Sequence, residues 1–222
     1  MSAMPRDNQA LRQEIIDACL KMNALGINQG SAGNIGLRVD GGLLITPSGM
    51  PYDTMTPDDI VFMALDGSVP PGQKNPSSEW RFHLDILNAR SDAGAVVHTH
   101  AMFATTLACL YREIPAFHYM VAVAGGDSIR CAPYATFGTQ ALSDHALKAL
   151  ENRRACLLAN HGMIALGVTL PKALALAVEV ETLAAQYWRA LQAGEPVLLP
   201  DDEMQRVLEK FQTYGKQPED GS

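Results

Sequence analysis

Basic residues are in the minority in this chain: 17 lysines and arginines stand against 24 acidic residues, a formal net charge of −7. That balance argues against a nucleic-acid surface, although a locally positive pocket for a small anion does not show in a sum. Cysteine is sparse and dispersed. Cys19, Cys109, Cys131 and Cys156 form no C-x-x-C pair and sit among apolar neighbours, so they read as reduced core thiols of a cytoplasmic protein. No apolar run is long enough to span a membrane, and the opening MSAMPRDNQA lacks the apolar centre of a secretion signal. Internal repeats, heptad arrays and low-complexity tracts are missing too, and no linker beyond loops divides the chain. With 47% hydrophobic and 18% charged residues, the expectation is one domain over 1–222, ordered from about 8 to 215, with a flexible tail at 217–222.

Periodicity outlines the elements. Leu11, Ile15, Cys19 and Met22 recur at helical spacing, and Gly26 is placed to end that helix. GSAGNIGLRV then supplies a glycine loop and a short strand, with a turn at Asp40 to Gly42 leading into a partner strand, LLIT. A second glycine loop covers Pro47 to Pro51, Pro57 to Asp59 reads as a brief helical turn, and IVFMAL reads as a strand. Ser77 and Ser78 are expected to cap a helix running from Trp80 through Leu87, with Glu79 in its first turn. Further strands are expected at AVVHTH, IRCA, Cys156–Leu158 and MIALGV. Helices are expected from Ala101 to Leu110, from Gln140 to Leu150, from Pro171 onward and from about Asp201 to Phe211. Glu179 and Glu181, on the long helix, read as solvated charges.

The chemistry concentrates in VVHTHA. On a strand, positions i and i+2 project from one face, so His98 and His100 could grip one ion from a rigid element. A His-x-His pair alone is more often a hydrogen-bonded core or surface pair than a ligand set. A third imidazole, His161 in ANHG, and a carboxylate, Glu79 in PSSEW, complete a set that suits zinc with a position left for substrate. The glycine loop around Ser31 and the paired Ser77 and Ser78 could each cradle a phosphate or serve as an ordinary turn and cap. Tyr119 reads either as a core aromatic or as a catalytic acid.

Taken together and in order, GSAGNIG, ITPSGMPY, PSSEWRFH, VVHTHA, HYMVAVAGG, CAPYATFGT, NHG and FQTYG resemble the class II aldolase/adducin family, from about Asn8 to Gly215. The resemblance implies an α/β fold: a three-layer α/β/α sandwich around a mostly antiparallel central sheet, assembled as a homotetramer with active sites between subunits. It implies Zn2+, or another divalent metal, on His98, His100 and His161, with Glu79 as the acid/base that can also occupy the metal. It assigns Tyr119, from a neighbouring subunit, to proton transfer. Asn34, Ser48, Gly49, Ser77 and Ser78 match the phosphate pocket, and Phe137 and Tyr214 match aromatics at the aldehyde end. The implied activity is that of a metal-dependent aldehyde-lyase. Its substrate would be a phosphorylated ketose, L-fuculose 1-phosphate or a 5-deoxy ketose 1-phosphate, cleaved reversibly to dihydroxyacetone phosphate and an aldehyde such as L-lactaldehyde. A 5-methylthioribulose or 5-deoxyribulose 1-phosphate substrate, an L-ribulose-5-phosphate 4-epimerase reaction, and a non-catalytic adducin-like role stay open beside it. Ser48 stands where relatives often carry threonine, which keeps the hydroxyl and loses a methyl group.

Overall fold

The computed structural model describes residues 8–211. Its centre is one seven-stranded sheet in the order β3-β2-β1-β4-β7-β6-β5. The strands are β1 (Asn34–Val39), β2 (Gly42–Ile45), β3 (Val61–Ala64), β4 (Ala95–Thr99), β5 (Cys131–Ala132), β6 (Ala155–Leu158) and β7 (Gly162–Gly167). The helices are α1 (Gln9–Ala24), α2 (Trp80–Ala89), α3 (Met102–Cys109), α4 (Gln140–Ala149), α5 (Leu170–Ala193) and α6 (Asp201–Phe211). Every strand pairing is antiparallel except β5 with β6. The sandwich and its mostly antiparallel sheet agree with the expectation from the motifs.

The central strands read as continuous apolar runs because helices cover both faces of the sheet. Side chains alternate between two cores. Ile35, Val97, Leu157 and Ala165 pack beneath α1, α3 and α5, whereas Val96, Cys156, Ile164 and Leu166 pack with Phe82, Ile86, Leu142 and Ala146 of α2 and α4. By the same alternation His98, two residues after Val96, faces the α2 side. Among the described residues, no helix is long and apolar enough to cross a membrane.

Several local expectations are corrected. Glu79, not a serine, takes the N-cap position of α2. The Ser77 hydroxyl instead accepts the Glu79 backbone N–H at 3.2 Å, a short turn that leads into a helix starting at Trp80, as expected. Glu181 is no solvated charge: its carboxylate accepts the backbone N–H groups of Phe103 and Ala104, each at 2.8 Å. Cys19 and Cys156 are buried as expected, but Cys109, at the last residue of α3, is exposed and Cys131 is half-buried. The strand begins at Ala95 and ends at Thr99, so His100 lies one residue beyond it. The expected residues 212–215 of the ordered span and the 217–222 tail lie outside the described residues.

Candidate active site

Three parts of the fold deliver the four candidate metal ligands to one point. His98 comes from β4 and His100 from the residue just after it, His161 from the turn between β6 and β7, and Glu79 from the start of α2. Their ligand atoms all lie within 4.8 Å of one another. His98 Nε2 is 3.2 Å from Glu79 Oε2 and 3.1 Å from His100 Nε2, while His161 Nε2 is 3.1 Å from Glu79 Oε1. The turn that carries His161 is tight, and Asn160 makes it in the left-handed region at φ 53°. Asparagine tolerates that region better than most residues.

The tautomers suit a cation. His98 Nδ1 lies 2.9 Å from the carbonyl oxygen of Met163, so Nδ1 carries the proton and donates it, and Nε2 presents its lone pair to the cluster. Glu79 Oε1 is buried without a hydrogen-bond donor among the described residues; His161 Nε2 stands near it without the alignment of a hydrogen bond. Two imidazole nitrogens 3.1 Å apart and an unsatisfied carboxylate oxygen repel or go unpaired unless a proton or metal ion lies between them. This donor set, nitrogen-rich with one carboxylate, fits Zn2+.

Electrostatics agrees. Burial pushes the Glu79 carboxyl up, but His98 and His161 outweigh it and hold the group well below the usual carboxylate range. Burial, followed by repulsion from His98 and His161, lowers the His100 imidazole to about 4, so it stays neutral and available as a ligand. A charged Glu79 beside a neutral His100 is a protonation pattern that suits metal binding.

The other residues singled out in the sequence distribute around this cluster. Asn34, directly opposite His98 in the β1–β4 register, is buried and donates from Nδ2 to Glu79 Oε2 at 2.9 Å. Ser77 is buried beside Glu79 and Ser78 is exposed. The loop of Ser48 and Gly49 is stitched to the serine loop by a Pro47–Pro76 bridge, by Ser48 N–H donating to Asn75 O at 3.0 Å, and by Ser77 N–H donating to Thr46 O at 2.9 Å. The two loops that match the family's phosphate pocket therefore lie side by side. Phe137 is exposed, and Gly138 after it packs so closely on Ser78 that an added Cβ would come within 2.6 Å of the Ser78 carbonyl. Tyr119 is exposed on a 3-10 turn, Tyr119–Ala124, and lines a cavity of about 820 Å³ against α6 that none of the four cluster residues lines. Within one chain it is not brought to the cluster. Tyr214 lies outside the described residues.

Two further contributors went unread in the sequence. His83, four residues after Glu79 on α2, is completely buried, and its Nε2 lies 2.5 Å from Asn34 Oδ1. Its helical spacing from Glu79 was the available signal. Lys74, which precedes the serines, joins Ser48 and Gly49 in lining a cavity of about 550 Å³ and places a cation there. The surrounding proline-rich loop offers no period from which that placement follows.

A sandwich that brings three imidazoles and a carboxylate together from β4, the β6–β7 turn and the start of α2 has a site that could hold a metal ion, as a metal-dependent enzyme requires. Relatives narrow the class. The profile of the family described as Class II Aldolase and Adducin N-terminal domain matches residues 13–188. A 5-methylthioribulose-1-phosphate/5-deoxyribulose-1-phosphate aldolase from Rhodospirillum rubrum is 62% identical over 212 residues, covering 96% of each chain. An L-fuculose phosphate aldolase from Escherichia coli is 54% identical over 210 residues, covering 94% of this chain and 97% of that one. A solved L-fuculose 1-phosphate aldolase superposes with a TM-score of 0.90 at 42% identity, over 96% of this chain and all of the other. The chain belongs to the class II aldolase and adducin family, and within it is an aldolase-type lyase.

Proposed function

We propose that this enzyme reversibly cleaves a ketose 1-phosphate to dihydroxyacetone phosphate and an aldehyde, using Zn2+ held by His98, His100 and His161. The observation that carries the reading is the convergence of those imidazoles and Glu79 within 4.8 Å. The complete ligand set also separates it from an adducin-like scaffold, which has no use for one. When bound, Zn2+ would act as a Lewis acid that withdraws electron density from the substrate carbonyl and adjoining hydroxyl. Glu79 would give a proton to the enediolate carbon in cleavage and remove it in synthesis. Tyr119, supplied by a neighbouring copy in a homotetramer, would take the proton of the departing hydroxyl. Its exposure in the single chain is consistent with a role across an interface.

Ser48, Gly49, Ser77 and Ser78, with the second N–H of Asn34, would hold the phosphate, and Lys74 adds positive charge beside them. Binding energy far from the reacting carbon then fixes its geometry. Phe137 and Tyr214 would border the aldehyde. The likeness to the Rhodospirillum rubrum protein, at 62% against 54% for the Escherichia coli protein, favours 5-methylthioribulose or 5-deoxyribulose 1-phosphate as substrate, with L-fuculose 1-phosphate as the second reading. The mass in solution tests the tetramer, and a cytoplasmic setting suits the unpaired cysteines.

The deciding experiment measures release of dihydroxyacetone phosphate from L-fuculose 1-phosphate and from 5-methylthioribulose 1-phosphate by zinc-loaded and chelated enzyme. Cleavage of either only with metal is expected, faster for the methylthio sugar. His98→Ala and His161→Ala should lose zinc and activity together. An active metal-free variant, or zinc bound with no turnover of either sugar, refutes the reading.

A further inference from the structure

Asn34 is held from both sides by one helix. Glu79 and His83 lie one turn apart on the same face of α2, and the Asn34 amide, entering from β1, sits between them. Its two ends are chemically distinct, so which neighbour each end meets has consequences. Nδ2 donates to Glu79 Oε2 at 2.9 Å and Oδ1 lies 2.5 Å from His83 Nε2.

The His83 ring admits one consistent protonation. Its Nδ1 is buried, has no hydrogen-bond partner among the described residues, and faces Gly36, where an added Cβ would come within 2.7 Å of it. A proton on Nδ1 would be an orphaned buried donor, whereas a proton on Nε2 is accepted by Asn34 Oδ1. The ring is therefore the Nε2–H tautomer. Flipping the Asn34 amide would set its carbonyl against the Glu79 carboxylate and its NH2 against the His83 N–H. Both contacts would be repulsive.

This orientation makes the two oxygens of Glu79 unequal. Each oxygen has an imidazole nitrogen beside it, His98 Nε2 at 3.2 Å from Oε2 and His161 Nε2 at 3.1 Å from Oε1, but only Oε2 also accepts an aligned hydrogen bond, from Asn34. Accepting the Asn34 hydrogen bond lowers the basicity of Oε2 and tethers it, leaving Oε1 the oxygen without an aligned donor. We propose that His83 is a positioning residue that, through Asn34, tethers Oε2 of Glu79 and so reserves Oε1 for proton transfer; this rests on the reading of Glu79 as the acid/base. In the synthetic direction Oε1 takes a proton from the hydroxymethyl carbon of dihydroxyacetone phosphate. The C–H electron pair passes into the enediolate and Glu79 becomes a neutral carboxyl; reversal returns the proton.

Solvent exchange at that carbon isolates the step. We would measure it by NMR with dihydroxyacetone phosphate alone, beside cleavage kinetics and zinc content, for zinc-loaded wild type, His83→Leu and His83→Gln. Leucine, which removes the donor, should slow exchange and kcat about tenfold while KM and zinc content hold, as expected for an orienting partner of a site residue. Glutamine, whose amide N–H can reach Asn34, should recover most of the loss. Side-chain 15N spectra of histidine-labelled, metal-free wild type report the tautomer directly, with His83 assigned as the signal absent from His83→Gln. They should show the Nε2–H tautomer.

An Nδ1–H tautomer overturns the proposal, as do unchanged rates in the leucine variant or a glutamine variant no faster than leucine. Zinc-loaded wild type with no exchange and no cleavage overturns the acid/base reading of Glu79, and this proposal with it. Exchange in wild type that leucine leaves unaltered overturns the proposal alone.

Discussion

At Gly162 the ligand set is sensitive to a single carbon atom. A Cβ there would stand 2.4 Å from the Thr99 carbonyl oxygen, 3.0 Å from His100 Cδ2 and 3.3 Å from His98 Cε1. Two ligand rings and a strand carbonyl would all have to give, in a part of the sheet that is covered on both faces. Gly162→Ala is therefore expected to weaken zinc binding by roughly tenfold or more, the scale on which disturbed ligand orientation acts. Competition against a chelator of known affinity measures it, and an unchanged dissociation constant would show that the rings have slack. The residue types of the candidate metal site were legible in the sequence because three imidazoles and a carboxylate are recognisable wherever they stand. The need for glycine after His161 was not, because it arises from atoms of β4 that only the β4–β7 pairing brings close.

Among the elements, α3 shows a helix whose end is completed from elsewhere. It starts two residues after His100, and its N-cap, Ala101, has no side chain able to accept from the first-turn N–H groups. Glu181 on α5 supplies that acceptor to Phe103 and Ala104. Burial raises the Glu181 carboxyl and the two N–H donors partly offset the rise, the signature of an acid placed for structure. Removing it in Glu181→Ala should cost about 1–2 kcal/mol, as loss of a helix cap does. The melting temperature should fall by roughly 2–4 °C for each kcal/mol in a domain of this size. Calorimetry checks this, and an unaltered midpoint would mean that water replaces the carboxylate freely. The helix was legible from its apolar spacing, but its cap was not: the partners are 77 and 78 positions apart.

For the whole molecule, the buried His83 links the site to stability. Burial, followed by repulsion from His98, lowers its imidazole from 6.5 to about 3 against a smaller opposing pull from Glu79. A base whose folded value is depressed binds its proton more readily when unfolded. Its contribution is therefore intact above pH 6.5 and is lost as pH falls toward 3, at about 1.4 kcal/mol per pH unit within that window. Metal-free wild type should accordingly lose stability faster on acidification than His83→Gln, by a slope equivalent to about one proton. Urea unfolding between pH 7 and pH 4 measures both slopes. Parallel slopes would place the acid sensitivity on other groups.

Much of this protein is determined by local sequence. Helical and strand periods follow from which backbone dihedrals bring apolar side chains to one face, and the elements of the fold fall close to where those periods put them. The identities of the candidate ligands belong to the same local record. Tertiary structure alone decided how they are joined. The β1–β4 register set Asn34 opposite His98, the docking of α2 slid His83 beneath it, and α5 brought Glu181 to the start of α3. Each of these contacts depends on strand register and helix placement over 45 or more residues, and hydrogen bonds of that range leave no periodic trace in the chain that makes them.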